Sequence, residues 1–88
     1  MTIENELKSH ISGFRNNQFV GDSGEIRLTV YHGDYYLEFT IETDDTISYL
    51  CEDGGEEDDY QEGLSLNEAI EIINSFKQSI GITVPYSH

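Results

Sequence analysis

The side chains in this 88-residue chain that could do chemistry are three histidines, one cysteine and eighteen carboxylates. Nucleophilic or acid–base catalysis needs a nucleophile, a base or a metal held in a defined geometry. His10, His32 and His88 are far apart in sequence, and no spacing suggests that they converge. No glycine-rich phosphate loop, His-Glu-x-x-His, Cys-x-x-Cys or nucleophile elbow occurs. Cys51 has no second thiol with which to form a disulfide or a metal cluster. Its apolar neighbours suggest a buried, inert side chain. The expectation is a protein that is not an enzyme and uses no cofactor.

The carboxylates are different. Seven of the eleven residues from Glu52 to Glu62 are acidic (Glu52, Asp53, Glu56, Glu57, Asp58, Asp59 and Glu62), and none is basic. Neither this run nor Asp44-Asp45-Thr46-Ile47-Ser48 has the ligand spacing of an EF-hand, so no dedicated metal site is expected. Crowding like charges opposes compaction, so the run implies that something outside the chain rewards it. Over the whole chain the formal charge is −14, with only Lys8, Arg15, Arg27 and Lys77 positive. That balance disfavours contact with nucleic acid or an anionic membrane, both of which are held through Lys and Arg. It favours cations and basic proteins.

Carboxylates need a scaffold to hold them in rows. Ten aromatic residues and clear apolar periodicity argue for a folded domain spanning 1–88 rather than a disordered acidic chain. Thr2 caps an expected first helix with Ile3, Leu7, Ile11 and Phe14 on one stripe, ended by Asn16-Asn17-Gln18, after which Phe19 and Val20 tuck back under the domain. Residues 25–31 and 35–41 alternate as two strands around the turn His32-Gly33-Asp34. A third strand covers 46–52, with Ile47, Tyr49 and Cys51 inward. Gly54-Gly55 then suits a hairpin into either a fourth, edge strand over 56–61 with Tyr60 inward, or an acidic loop. Ser65 and Glu68 form a capping box for a last helix carrying Leu66, Ala69, Ile70, Ile73, Phe76 and Ile80, which Gly81 stops before a short extended tail at 82–84. The expected fold is α+β: a three- to four-stranded antiparallel sheet with an N-terminal and a C-terminal helix on one face. No signal peptide or membrane-length apolar run is present, and a cytoplasmic protein is expected.

Two helices leave the second sheet face open, displaying Tyr31 and Tyr36 among acids. Those tyrosines suit either a protein contact or packing on each other across the hairpin. Carboxylates two apart on a strand lie about 6.7 Å apart on one face, the order of spacing of successive phosphates on a nucleic-acid strand. Glu38 with Glu42, the pair Asp44-Asp45 and the 52–62 run therefore form the expected binding set, with Tyr31 and Tyr36. In size, charge and element order, with the 52–62 run as its local carrier, the chain resembles the small acidic inhibitors that phages and mobile elements make against nucleases, anti-CRISPR proteins among them. The resemblance implies a stoichiometric inhibitor that fills the basic groove of a protein or ribonucleoprotein. An immunity protein or antitoxin against a basic nuclease uses the same physics, and a plain acidic housekeeping domain stands beside both.

Overall fold

The computed structural model describes residues 2–80. In chain order the elements are α1 (Ile3–Ile11), β1 (Arg15–Val20), β2 (Ile26–His32), β3 (Tyr35–Ile41), β4 (Ile47–Asp53), β5 (Glu56–Leu64) and α2 (Leu66–Ser79). The five strands pair antiparallel in sequence order, and the fold is α+β with both helices on one face of the sheet. The sheet thus has five strands rather than three or four. The expected helix stop at Gly81 and the tail at 82–84 lie outside the described residues.

Burial on one side explains the alternation. Leu28 and Val30 of β2, Leu37, Phe39 and Ile41 of β3, and Ile47, Tyr49 and Cys51 of β4 point to the helices and are buried. Leu7 and Ile11 from α1, and Ala69, Ile73 and Phe76 from α2, close the core above them. Phe76 seals one end with its ring centroid 5.7 Å from that of Phe14 and 5.4 Å from that of Tyr35, and His32 stands edge-on to Phe14. This histidine ends β2 instead of lying in the turn.

The extra strand is β1. The helix stops at Ile11, whose carbonyl accepts from the Phe14 N–H at 3.0 Å and from the Asn16 side-chain amide at 3.4 Å, and the chain then straightens. Arg-Asn-Asn-Gln has neither apolar alternation nor strong strand preference, and only the ladder with β2 makes it a strand. Phe14 leaves the helix but stays buried. Phe19 and Val20 do not tuck under the domain; they are 52% and 69% exposed on the sheet's edge.

The residues from 56 to 64 form a strand rather than a loop, and two register shifts decide where its side chains point. Gly54 and Gly55, both at positive φ, make the two-residue turn that pairs Asp53 with Glu56 and Glu52 with Glu57. Unbroken pairing would set Tyr60 opposite Tyr49, pointing inward. The shift between Cys51 and Glu52 leaves Asp58 without an opposite residue and pairs Cys51 with Asp59 and Leu50 with Tyr60. One extra residue sends the following side chains to the other face. Tyr60 accordingly points outward and is 49% exposed. A second shift, with Gly63 at φ 66°, sets Leu64 opposite Ile47. Leu64 is then buried next to the start of α2, where Ala69 is also buried.

The capping box is complete. Ser65 N–H donates to the Glu68 carboxylate at 2.9 Å, and Glu68 N–H donates to the Ser65 hydroxyl at 3.2 Å. Ser65→Ala should cost about 1 kcal/mol in urea denaturation with an unchanged m-value. Phe39→Ala, at the centre of the core, should cost about 3–5 kcal/mol. That is a large share of a small domain's stability, and circular dichroism should show a melting temperature lowered by more than about 10 °C.

Candidate functional site: the acidic β4–β5 hairpin

The β4–β5 hairpin carries seven carboxylates and no base, and every β5 residue before Leu64 is exposed. The pairing sets Glu52 directly against Glu57 and Asp53 directly against Glu56. Opposite residues on antiparallel strands stand about 5 Å apart, and like charges there oppose the pairing. Among the described residues the ion pair found is Arg27 with Glu25, at 3.5 Å, so the hairpin acids have no internal cation. The fold tolerates this charge without drawing on it.

The run is divided between two surfaces, and the register shift decides which residues go to each. Glu57, Tyr60 and Glu62 share the open face with Glu52, and the Tyr60 hydroxyl donates to Glu62 at 2.7 Å. This bond to a carboxylate holds the Tyr60 phenol above its ordinary pKa. Asp58 and Asp59 instead border a groove of about 740 Å³ between β5 and α2, with Glu68 and Glu71 on its helical wall. Tyr49, Cys51, Ile72 and Phe76 supply its apolar lining. Burial pushes the Cys51 thiol up, consistent with an inert side chain in the groove. The hairpin is therefore acidic on both sides of one exposed edge.

The other expected binding residues are scattered. Glu38 lies mid-sheet on the open face, accepting from the Tyr36 hydroxyl at 2.7 Å. Burial, with that bond to Glu38, raises the Tyr36 phenol well above its ordinary value. The Tyr31 and Tyr36 rings pack 5.5 Å apart across the hairpin, so part of their surface is used internally. Glu42, Asp44 and Asp45 sit at the β3–β4 turn, on the opposite end of the strands from Gly54. Asp44 Oδ1 accepts from the Thr46 hydroxyl at 2.7 Å and from its N–H at 3.1 Å, and these bonds hold its carboxyl below the usual range. Asp45 takes φ 71° to close the same turn. Asp44 and Asp45 shape a turn, and the sheet does not gather them with the hairpin.

Sequence reasoning missed the groove wall. Asp59 joins Asp58 opposite Glu68 and Glu71 only because of the Asp58 register shift, and no spacing pattern in the chain announces that. Among the described residues no three His, Cys, Asp or Glu side chains converge as metal ligands. No described helix is long and apolar enough to cross a membrane. In comparisons with known proteins, the chain matches no family model, no curated protein and no solved structure.

Two outcomes follow from this geometry. Changing Glu56, Glu57, Asp58 and Asp59 together to Gln or Asn should raise the melting temperature, and added salt should raise that of the parent chain, because both relieve or screen repulsion. A melting point that falls with salt contradicts this. The second concerns alkali. A tyrosine whose pKa is raised on folding contributes stability in full below its unfolded pKa, and loses it as pH rises from there through the folded value. The Tyr36 contribution should therefore be intact below about pH 10 and decline above it. Tyr36→Phe should flatten the alkaline limb of a stability–pH profile, and an unchanged limb would count against the Tyr36–Glu38 bond.

Proposed function

We propose that the chain is a non-catalytic acidic binding protein that occupies the basic nucleic-acid-binding groove of a partner, as an anti-CRISPR or other nuclease inhibitor would by imitating DNA or RNA. The observation that carries this reading is the pair of like-charge contacts, Glu52 against Glu57 and Asp53 against Glu56, at the turn end of a hairpin with no internal cation. A sequence selected for stability alone would place a lysine at one member of each pair, for roughly 0.2–1 kcal/mol gained apiece. Their retention is accounted for by a ligand that supplies the missing cations.

A groove lined with Lys and Arg supplies them. Glu52, Glu57 and Glu62 on one side of the edge, and Asp58 and Asp59 on the other, offer charge-assisted acceptors along a ridge one strand thick. Most of the ridge is paired strand before any partner arrives, so docking costs little ordering entropy. The inhibitor works by stoichiometric competition and has no turnover. Its partner is a basic protein or ribonucleoprotein, such as a nuclease, a Cas effector or a toxin. The chain itself makes no contact with nucleic acid or a membrane.

The test is a pull-down from a host lysate with the parent chain and with the quadruple Glu56, Glu57, Asp58 and Asp59 amide variant, eluted by a salt gradient. A basic nucleic-acid enzyme should bind the parent and leave it at high salt, with affinity for the variant more than about tenfold weaker. Equal affinity for the two proteins, or a neutral or acidic partner, would refute the proposal.

A further inference from the structure

The sheet has two free edges, and they are built in opposite ways. β5 is broken by a bulge and carries five carboxylates, devices that keep an edge from pairing with another sheet. β1 has none of them. Its six residues pair with β2 without a register shift and include no acid and no proline. The single charge is Arg15, and at its far end Phe19 and Val20 are the two most exposed large apolar side chains among the described residues. The Gly21 N–H to Glu25 carbonyl bond, 2.8 Å long, sets the alternation along this hairpin. It turns the backbone N–H and C=O groups of Asn16, Gln18 and Val20 away from β2, toward solvent.

We infer that two copies of this chain associate through β1, edge to edge and antiparallel, so that their sheets join into one of ten strands. Charge chooses this arrangement over the others. Pairing β5 with β5 would set five carboxylates against five. Pairing β1 with β5 of the next copy is head-to-tail and would bring β1 against the bulged, acidic edge that resists pairing. Pairing β1 with β1 is self-complementary and closes at two, and it sets the two acidic hairpins as far apart as the sheet allows. Nine interstrand spacings of about 4.8 Å separate the two β5 strands by about 43 Å. At a Debye length of about 8 Å, their repulsion is almost fully screened. Of the helix acids, Glu4 comes nearest β1, and its carboxylate already accepts from Gln18 Nε2 at 2.7 Å, one helical turn before Lys8. A strand edge of six residues buries less than the roughly 1,000 Å² of a tight interface, so the dimer is weak, with a Kd on the order of 0.1 mM. Both acidic hairpins stay exposed in it, ready for a basic partner.

Sedimentation equilibrium of the full chain from about 10 µM to about 1 mM should show a monomer–dimer equilibrium that stops at the dimer. It should tighten several-fold between about 0.05 M and 0.5 M salt as residual repulsion is screened. Amide exchange at the two ends of that concentration range should show Asn16, Gln18 and Val20 protected only at the higher one. Gln18→Pro, which removes an outward N–H at an edge where proline is tolerated, should abolish the dimer and keep a cooperative melting transition. The inference is overturned by a chain that stays monomeric to about 1 mM in high salt, or by assembly past the dimer. It is also overturned by dimerisation in which the three amides exchange as fast as in dilute protein, a result that does not depend on how the proline variant folds.

Discussion

Two short helices can cover only one face of a five-stranded sheet, and the rest of the molecule follows from that. The middle strands must alternate, because one set of their side chains meets Leu7, Ile11, Ile73 and Phe76 while the other meets water. The outer strands receive little cover, so they are free to be polar. Thr29, 2% exposed on the uncovered face, shows how closely the middle of that face is nonetheless packed by its own neighbours. A chain this short has no second layer with which to bury more.

That freedom at the edges is where the chain places its charge. The acids are not spread evenly over the surface. Seven lie on one hairpin, two of whose cross-strand pairs are acid against acid, while Arg15 and Arg27 lie on the two strands at the other side of the sheet. The sheet is consequently polarised across its width. One edge is densely acidic and interrupted by a bulge, and the other is nearly neutral and bare. Partner recognition and self-association, as inferred above, use opposite edges and do not compete for the same residues.

The bulge at Asp58 links the edge to the core. Without it Tyr60 and Glu62 would enter the core side and Asp59 would face out. With it, Asp59 joins Asp58 at the groove beside Glu68 and Glu71, and the second shift at Gly63 returns Leu64 to the core in time to start α2. Between the two shifts Tyr60 and Glu62 are turned outward, two neighbouring acids border the groove, and the last residue still reaches the apolar interior.

From the sequence alone, the helices, the inward sets of β2, β3 and β4, the Ser65–Glu68 box and the concentration of acids from 52 to 62 could be read, because each is a local pattern: apolar period, cap chemistry or plain composition. Tertiary structure decided the rest. Arg15 to Val20 is a strand only because β2 offers it a ladder, and polar residues on an edge leave no periodic trace. The directions of Asp59 and Tyr60 hang on a single unpaired residue, and a register shift is a relation between two strands that neither strand's residues encode separately. The same holds for Asp44 and Asp45: their charge was plain in the chain, but their use in closing a turn, away from the hairpin, depended on where the neighbouring backbone groups came to lie.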